Sequence, residues 1–228
     1  MMDYPNKILV FAAHQDDETI GCGGTIRKWS SNGSIVDVVF MTDGGTGVDQ
    51  SGKFDSDIVS TRKKEAEQAA EILGVSKIHN LNLECQNIKN SKKNFHKVIS
   101  LIREIKPDLV ITHYTKDKHR DHRKTAKIVL EACWKSSENI HKELGKPHKV
   151  GDVWACEITD PLPKVDFIVD ISKTYSKKIE AMKIYNSQEN VIDGIFNFLD
   201  GISKVRGYLI NKERGEAFKR ASYVPMEI

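Results

Sequence analysis

"KILVFAAHQDDETIGCGG" (residues 7–24) opens with an apolar run that ends in a histidine and three acids, followed by a cluster of small residues. Residues 7–13 are short, rich in branched side chains and bounded by polar ones, which predicts a strand buried on both faces. Charged groups at the end of such a strand are costly unless paired or bound to something, so the stretch reads as a site. The strand pattern returns at 34–42, at 108–113 after Pro107, and more weakly at 77–83, 152–158 and 167–172. Between these runs lie helical periods at 18–31, at 58–73 with Gly74 as a stop, and at 95–106. The alternation predicts an α/β fold, a mostly parallel sheet with helices on both faces, because parallel neighbours require a crossover that is usually a helix.

Helical stretches near 173–186 and 191–212, with a polar connection at 136–151, read as additions to the same domain. The expectation is one domain over residues 1–228 with a helical C-terminal extension from about 173. A chain of 228 residues suits one sizeable domain, and 39% hydrophobic with 29% charged residues is the balance of a packed globular protein. The net charge of +3 is small and its bases are interspersed with acids, which argues against a nucleic-acid groove. No apolar run reaches the ~18 residues of a membrane span, and the N-terminus lacks a signal-peptide pattern. Cys22, Cys85, Cys133 and Cys156 lie far apart without a Cys-x-x-Cys pair, so reduced thiols and a cytoplasmic location are expected.

In an open parallel sheet, ligands bind beyond the carboxyl ends of the strands where the strand order reverses. His14, Asp16 and Asp17 follow the first strand, and "HYTKDKHRDH" (113–122) follows the 108–113 strand. If these strands are neighbours, imidazoles and carboxylates meet across the crevice. Three His or acid ligands with a fourth position open to water form a catalytic zinc site. A third loop, "DGGTGVDQSGKFDSD" (43–57), leaves the same edge and reads as a binding loop or lid.

Simpler readings stand beside these. Asp16 or Asp17 could cap the helix from residue 18, and Asp121 the helix starting near His122. The glycines at 21–24 do not form a G-x-G-x-x-G dinucleotide loop; they read instead as a place where the helix packs closely or a ligand approaches. His113 closes a strand and could be core or a supporting residue, and Arg62 could bind a polar substrate group or pair with Glu65 or Glu67. Spacing alone does not tell His119 from His122.

"AHQDDE" (13–18) resembles the Ala-His-Pro-Asp-Asp-Glu signature of the PIG-L/LmbE-like zinc-dependent deacetylases, and "HRDH" (119–122) resembles that family's His-Pro-Asp-His. "TDGGTG" (42–47), "RKKEAEQAAEILG" (62–74) and "KKIEAMKIYNSQ" (177–188) resemble further blocks, in order along the chain. Gln15 and Arg120 stand where the family has proline, which implies altered loop rigidity beside the site. The resemblance implies a Rossmann-like layer structure. It also implies that His14, Asp17 and His122 bind Zn²⁺, that Asp16 is the general base, that His119 stabilises or protonates the reacting centre, and that Asp121 orients His119.

The implied reaction is removal of an acetyl group from a small N-acetylated substrate of N-acetylglucosamine type. Amide hydrolysis needs an activated water, oxyanion stabilisation and a proton for the amine. A zinc amidase acting on a non-sugar amide and a nucleotide-binding module are the alternatives. Monomer and homo-oligomer both remain open.

Overall fold

The computed structural model describes residues 5–45, 57–188 and 192–221. Most of the 43–57 loop expected to act as a lid, residues 46–56, lies outside them. In chain order the elements are β1 (Lys7–Ala12), α1 (Asp17–Ser30), β2 (Ile35–Thr42), α2 (Ile58–Leu73), β3 (Lys77–Leu83), α3 (Lys92–Ile105) and β4 (Leu109–His113). There follow α4 (Arg120–Ser136), β5 (Asp152–Cys156), β6 (Phe167–Asp170), α5 (Tyr175–Met182), α6 (Ile195–Tyr208) and β7 (Gly215–Arg220), with short 3₁₀ turns at Lys142–Leu144 and Asn186–Gln188. Among the described residues no helix is long and apolar enough to cross a membrane.

The seven strands form one sheet in the order β3-β2-β1-β4-β5-β7-β6. β1 to β5 run parallel, while β7 is antiparallel to both β5 and β6. Alternate side chains of β1 feed opposite cores. Ile8, Val10 and Ala12 pack with Ile20 and Ile26 of α1, Leu73 of α2, Met182 of α5 and Leu199 of α6. Leu9 and Phe11 pack on the other face with Val98 and Ile102 of α3 and Val129 of α4. A strand buried on both faces must be apolar at every position, and β1 is so from Ile8 on.

Two glycines of α1, Gly21 and Gly24, serve close packing. A Cβ on Gly24 would stand 2.8 Å from Ile171 Cδ1, and one on Gly21 would stand 2.7 Å from Cys156 Sγ. The helix breaks at Cys22 (φ −148°). Gly24 N–H and Ile20 C=O would bond each other in an unbroken helix. Here the amide donates to Glu216 Oε1 (2.9 Å), and the carbonyl accepts from Lys178 Nζ (2.7 Å). Lys178 and Glu216 meet at 2.6 Å, both buried, so an ion pair from α5 and β7 is spliced into the kink.

The C-terminal extension is not wholly helical as expected. α6 ends at Tyr208, and "GEAFKR" (215–220) forms β7 inside the sheet. Its charged residues hide the strand in the sequence, because Glu216 is buried only by virtue of Lys178 and the α1 amides. The helix placed at 95–106 starts three residues earlier, where the Ser91 side chain accepts from Asn94 N–H.

Candidate active site

β1 sits between β2 and β4, so the loops following β1 and β4 open on the same crevice. They line a cleft of about 520 Å³ together with Arg62 of α2, Cys85 and Gln86 after β3, and an apolar wall of Ile158, Ile195 and Phe198. His14, Asp16, Asp17, Arg62, His119 and His122 all face this cleft.

Asp17 lies at the centre of the cluster. Its Oδ2 is 3.3 Å from His14 Nδ1, and its Oδ1 is 3.2 Å from His122 Nε2. The outer nitrogen of each imidazole faces another carboxylate: His14 Nε2 is 3.2 Å from Asp121 Oδ2, and His122 Nδ1 is 3.1 Å from Asp117 Oδ2. That arrangement fixes ring orientation and turns one nitrogen of each ring inward, as carboxylate-backed histidine ligands require. Asp17 thus meets one nitrogen of each ring, and imidazole and carboxylate are the donor types that a dication with a preference for nitrogen ligands takes. Among the described residues, three sets offer ligand atoms within 4.8 Å of one another: the imidazole nitrogens of His14, His119 and His122; a carboxylate oxygen of Asp17 with nitrogens of His113 and His122; and His14 with the Cys85 thiol and the Asp121 carboxylate.

The electrostatics fit a cation there as well. Burial works against charging His122, yet Asp17 and Asp117 raise its pKa to about 10. His14 is likewise driven well up by Asp121 and Asp17 against its burial. Burial would raise Asp17, but the charge of His122 holds it well below the usual carboxylate range. The carboxylates around both rings thus favour positive charge at the position where a metal would displace a proton. His113 is different. Its Nε2 accepts from Ala13 N–H (2.8 Å), and burial pushes its pKa down to about 3, so it is a neutral buried support.

Asp16 occupies an unusual position. Its φ of 128° lies in the left-handed region that non-glycine residues avoid, and such strain is held in place by its surroundings. The residue stands at the head of α1, but its carboxylate does not cap the helix. Instead Oδ2 lies 3.5 Å from Arg62 Nη2. Burial raises the Asp16 pKa to about 7, with Arg62 opposing and Asp17 adding to the rise. His119 is shifted down, by burial and then by the charges of His122 and His14. A dication beside Asp16 would pull its carboxyl back toward the ionised form.

Several expectations need correction. Asp121 does not orient His119 through its carboxylate. His119 is the N-cap of α4, and its Nδ1 accepts from the Asp121 backbone N–H (3.2 Å), while the Asp121 carboxylate accepts from Gln86 N–H (2.7 Å) and faces His14. The helix begins at Arg120, ahead of the expected start near His122, so Asp121 lies inside it and its side chain projects across the crevice. Arg62 is not a surface residue paired with Glu65 or Glu67. It is buried, and donates to Gln15 O at 2.7 Å, while Glu65 accepts from Ser187. Cys85, Gln86 and the apolar wall carried no sequence signal, because the loops that bear them are remote in the chain from both motifs. Asp117 stood beside the histidine pair, but its partner could not be read from spacing.

The family model described as PIG-L, GlcNAc-PI de-N-acetylase, matches residues 9–133. A diacetylchitobiose deacetylase of Thermococcus kodakarensis is 28% identical over 190 residues, which are 80% of this chain and 70% of that protein. A probable N-acetyl-α-D-glucosaminyl L-malate deacetylase of Bacillus cereus is 27% identical, over 79% of this chain and 83% of its own. The solved structure of the N,N′-diacetylchitobiose deacetylase from Pyrococcus horikoshii, in complex with an inhibitor, superposes with a TM-score of 0.86 at 28% identity, covering 98% of this chain and 88% of the other.

Proposed function

Since this chain belongs to the PIG-L family of de-N-acetylases, we propose that it is a zinc-dependent hydrolase that removes the acetyl group from an N-acetylglucosamine-type sugar or sugar conjugate. The observation that carries this reading is the cluster in which two carboxylate-backed imidazoles turn their inner nitrogens onto Asp17, with Asp16 and His119 opening on the same cleft.

In this reading His14, Asp17 and His122 hold the metal, which when bound supplies Lewis acidity toward the amide and acidifies water. Asp16 takes the proton of the attacking water and delivers it to the departing amine. Arg62 favours the ionised form of the Asp16 carboxylate against its burial and fixes the peptide before it. His119, on the rim with its Nδ1 accepting from the α4 backbone, holds Nε2 beside the Gln86 side-chain amide at 3.3 Å, and in this reading offers its Nε2–H to charge developing on the carbonyl oxygen. Asp121 and Asp117 set the tautomers of His14 and His122. The polar wall binds the acetamido group, while Ile158, Ile195 and Phe198 offer apolar surface to the carbon face of a sugar ring. In this reading the chain acts as one domain, with α5 and α6 packed on the sheet that carries the site and β7 within it.

The test is acetate release from N-acetylglucosamine, N,N′-diacetylchitobiose and a non-sugar N-acetyl amine by zinc-loaded protein. Turnover of the sugars well above the amine is expected, and the reverse ranking would favour the non-sugar amidase reading. Asp16→Asn should lower kcat by about 10²- to 10⁴-fold, the usual worth of a general base, with zinc content unchanged.

A further inference from the structure

Three groups on the Tyr-Asn-Ser-Gln segment after α5 (185–188) lie near the head of the site, although this segment is remote from both histidine motifs. The Tyr185 hydroxyl donates to Glu18 Oε1 at 2.6 Å, and Tyr185 is 2% exposed. Thr19 Oγ1 donates to the same oxygen at 2.6 Å, while Glu18 Oε2 accepts from Asp16 N–H at 3.1 Å. Ser187 donates from its amide (2.9 Å) and its hydroxyl (2.6 Å) to the two oxygens of Glu65. Glu65 lies one turn along α2 from Arg62, whose Nη2 donates to Gln15 O at 2.7 Å.

Gln15 C=O and Asp16 N–H belong to one peptide unit. That unit is gripped on its oxygen by Arg62 and on its nitrogen by Glu18, and each gripping residue is on an element braced from the 185–188 segment. The unit enters the residue whose φ is 128°. A backbone in that region relaxes unless its neighbours hold it, and relaxation would rotate the Asp16 carboxylate away from the cleft. From this geometry we propose that Tyr185, through Glu18, and Ser187, through Glu65, are positioning residues that hold the Asp16 carboxylate in its working orientation. The proposal rests on the reading of Asp16 as the base.

Tyr185→Phe deletes one hydroxyl, and Ser187→Ala deletes another while sparing the amide contact. Each variant, as full-length zinc-loaded protein, is assayed for kcat and KM on N,N′-diacetylchitobiose, for zinc content, and for hydrogen exchange of the peptide spanning residues 14–18. A displaced reacting group costs rate rather than binding, so kcat is expected to fall about tenfold or more, with KM and zinc content within about twofold of wild type. Exchange at 14–18 is expected to quicken.

The proposal is overturned if kcat holds at the wild-type value, if KM or zinc content changes in step with kcat, or if exchange at 14–18 does not change. Should Tyr185→Phe fail to fold, Ser187→Ala decides alone. Asp16→Asn is run alongside: if it keeps wild-type turnover, the reading of Asp16 as base fails, whereas an inactive Asp16→Asn beside wild-type brace variants rejects the brace only.

Discussion

The three-residue interval between His119 and His122 hides two different environments. His122 is buried with both nitrogens against carboxylates, whereas His119 is only partly buried, caps α4 and touches Gln86. His122→Ala should therefore lose zinc together with activity, because it removes a ligand. His119→Ala should keep zinc and lose about 10²- to 10³-fold in kcat, the worth of one oxyanion donor. Elemental analysis and turnover of the two variants check this, and zinc lost only from His119→Ala would exchange the roles. Asp121→Asn tests the contact of its carboxylate with His14 Nε2. With its carboxylate on His14, the substitution should weaken zinc affinity about 10- to 100-fold, as read by competition with a chromophoric chelator. An Asp121 that served His119 alone would leave affinity unchanged.

Among the elements, α1 shows how a local conflict is resolved at a distance. Its glycines and the break at Cys22 make "DETIGCGGTIRKWS" a poor helix by propensity, yet it must pack against Ile171 and the end of β5 more closely than any larger residue permits. The Lys178–Glu216 pair meets the backbone groups that the break exposes. A buried pair tolerates loss of both charges better than loss of one. Lys178→Met, which leaves Glu216 buried and unpaired, is expected to cost about 3–5 kcal/mol in urea unfolding. The double variant Lys178→Met/Glu216→Gln should recover part of that. Equal stability of Lys178→Met and wild type would show that the pair is dispensable to the kink.

For the molecule as a whole, the proposed ligands join the start of α1 and its preceding loop to α4, across the β1–β4 junction at the middle of the sheet. A metal bound there acts on the folded state alone, so chelation should lower Tm and added zinc restore it, with about 2.7 kcal/mol gained at a free zinc concentration of 100 Kd. Calorimetry of stripped and reloaded protein measures this, and a Tm indifferent to chelation would place the metal elsewhere. The sequence by itself determined the parallel core strands, the helices between them, and the crevice where the β1 and β4 loops meet, because each depends on short-range periodicity and on residues confined to two motifs. β7 was not legible, since its buried Glu216 is tolerable only beside Lys178 and the kinked α1. Nor were the partner of Asp121, the burial of Arg62 or the Tyr185–Glu18 contact, at a separation of 167 residues. Those depend on which side chains the tertiary structure brings within hydrogen-bonding distance, and the reach of a side chain in space leaves no period or spacing in the chain.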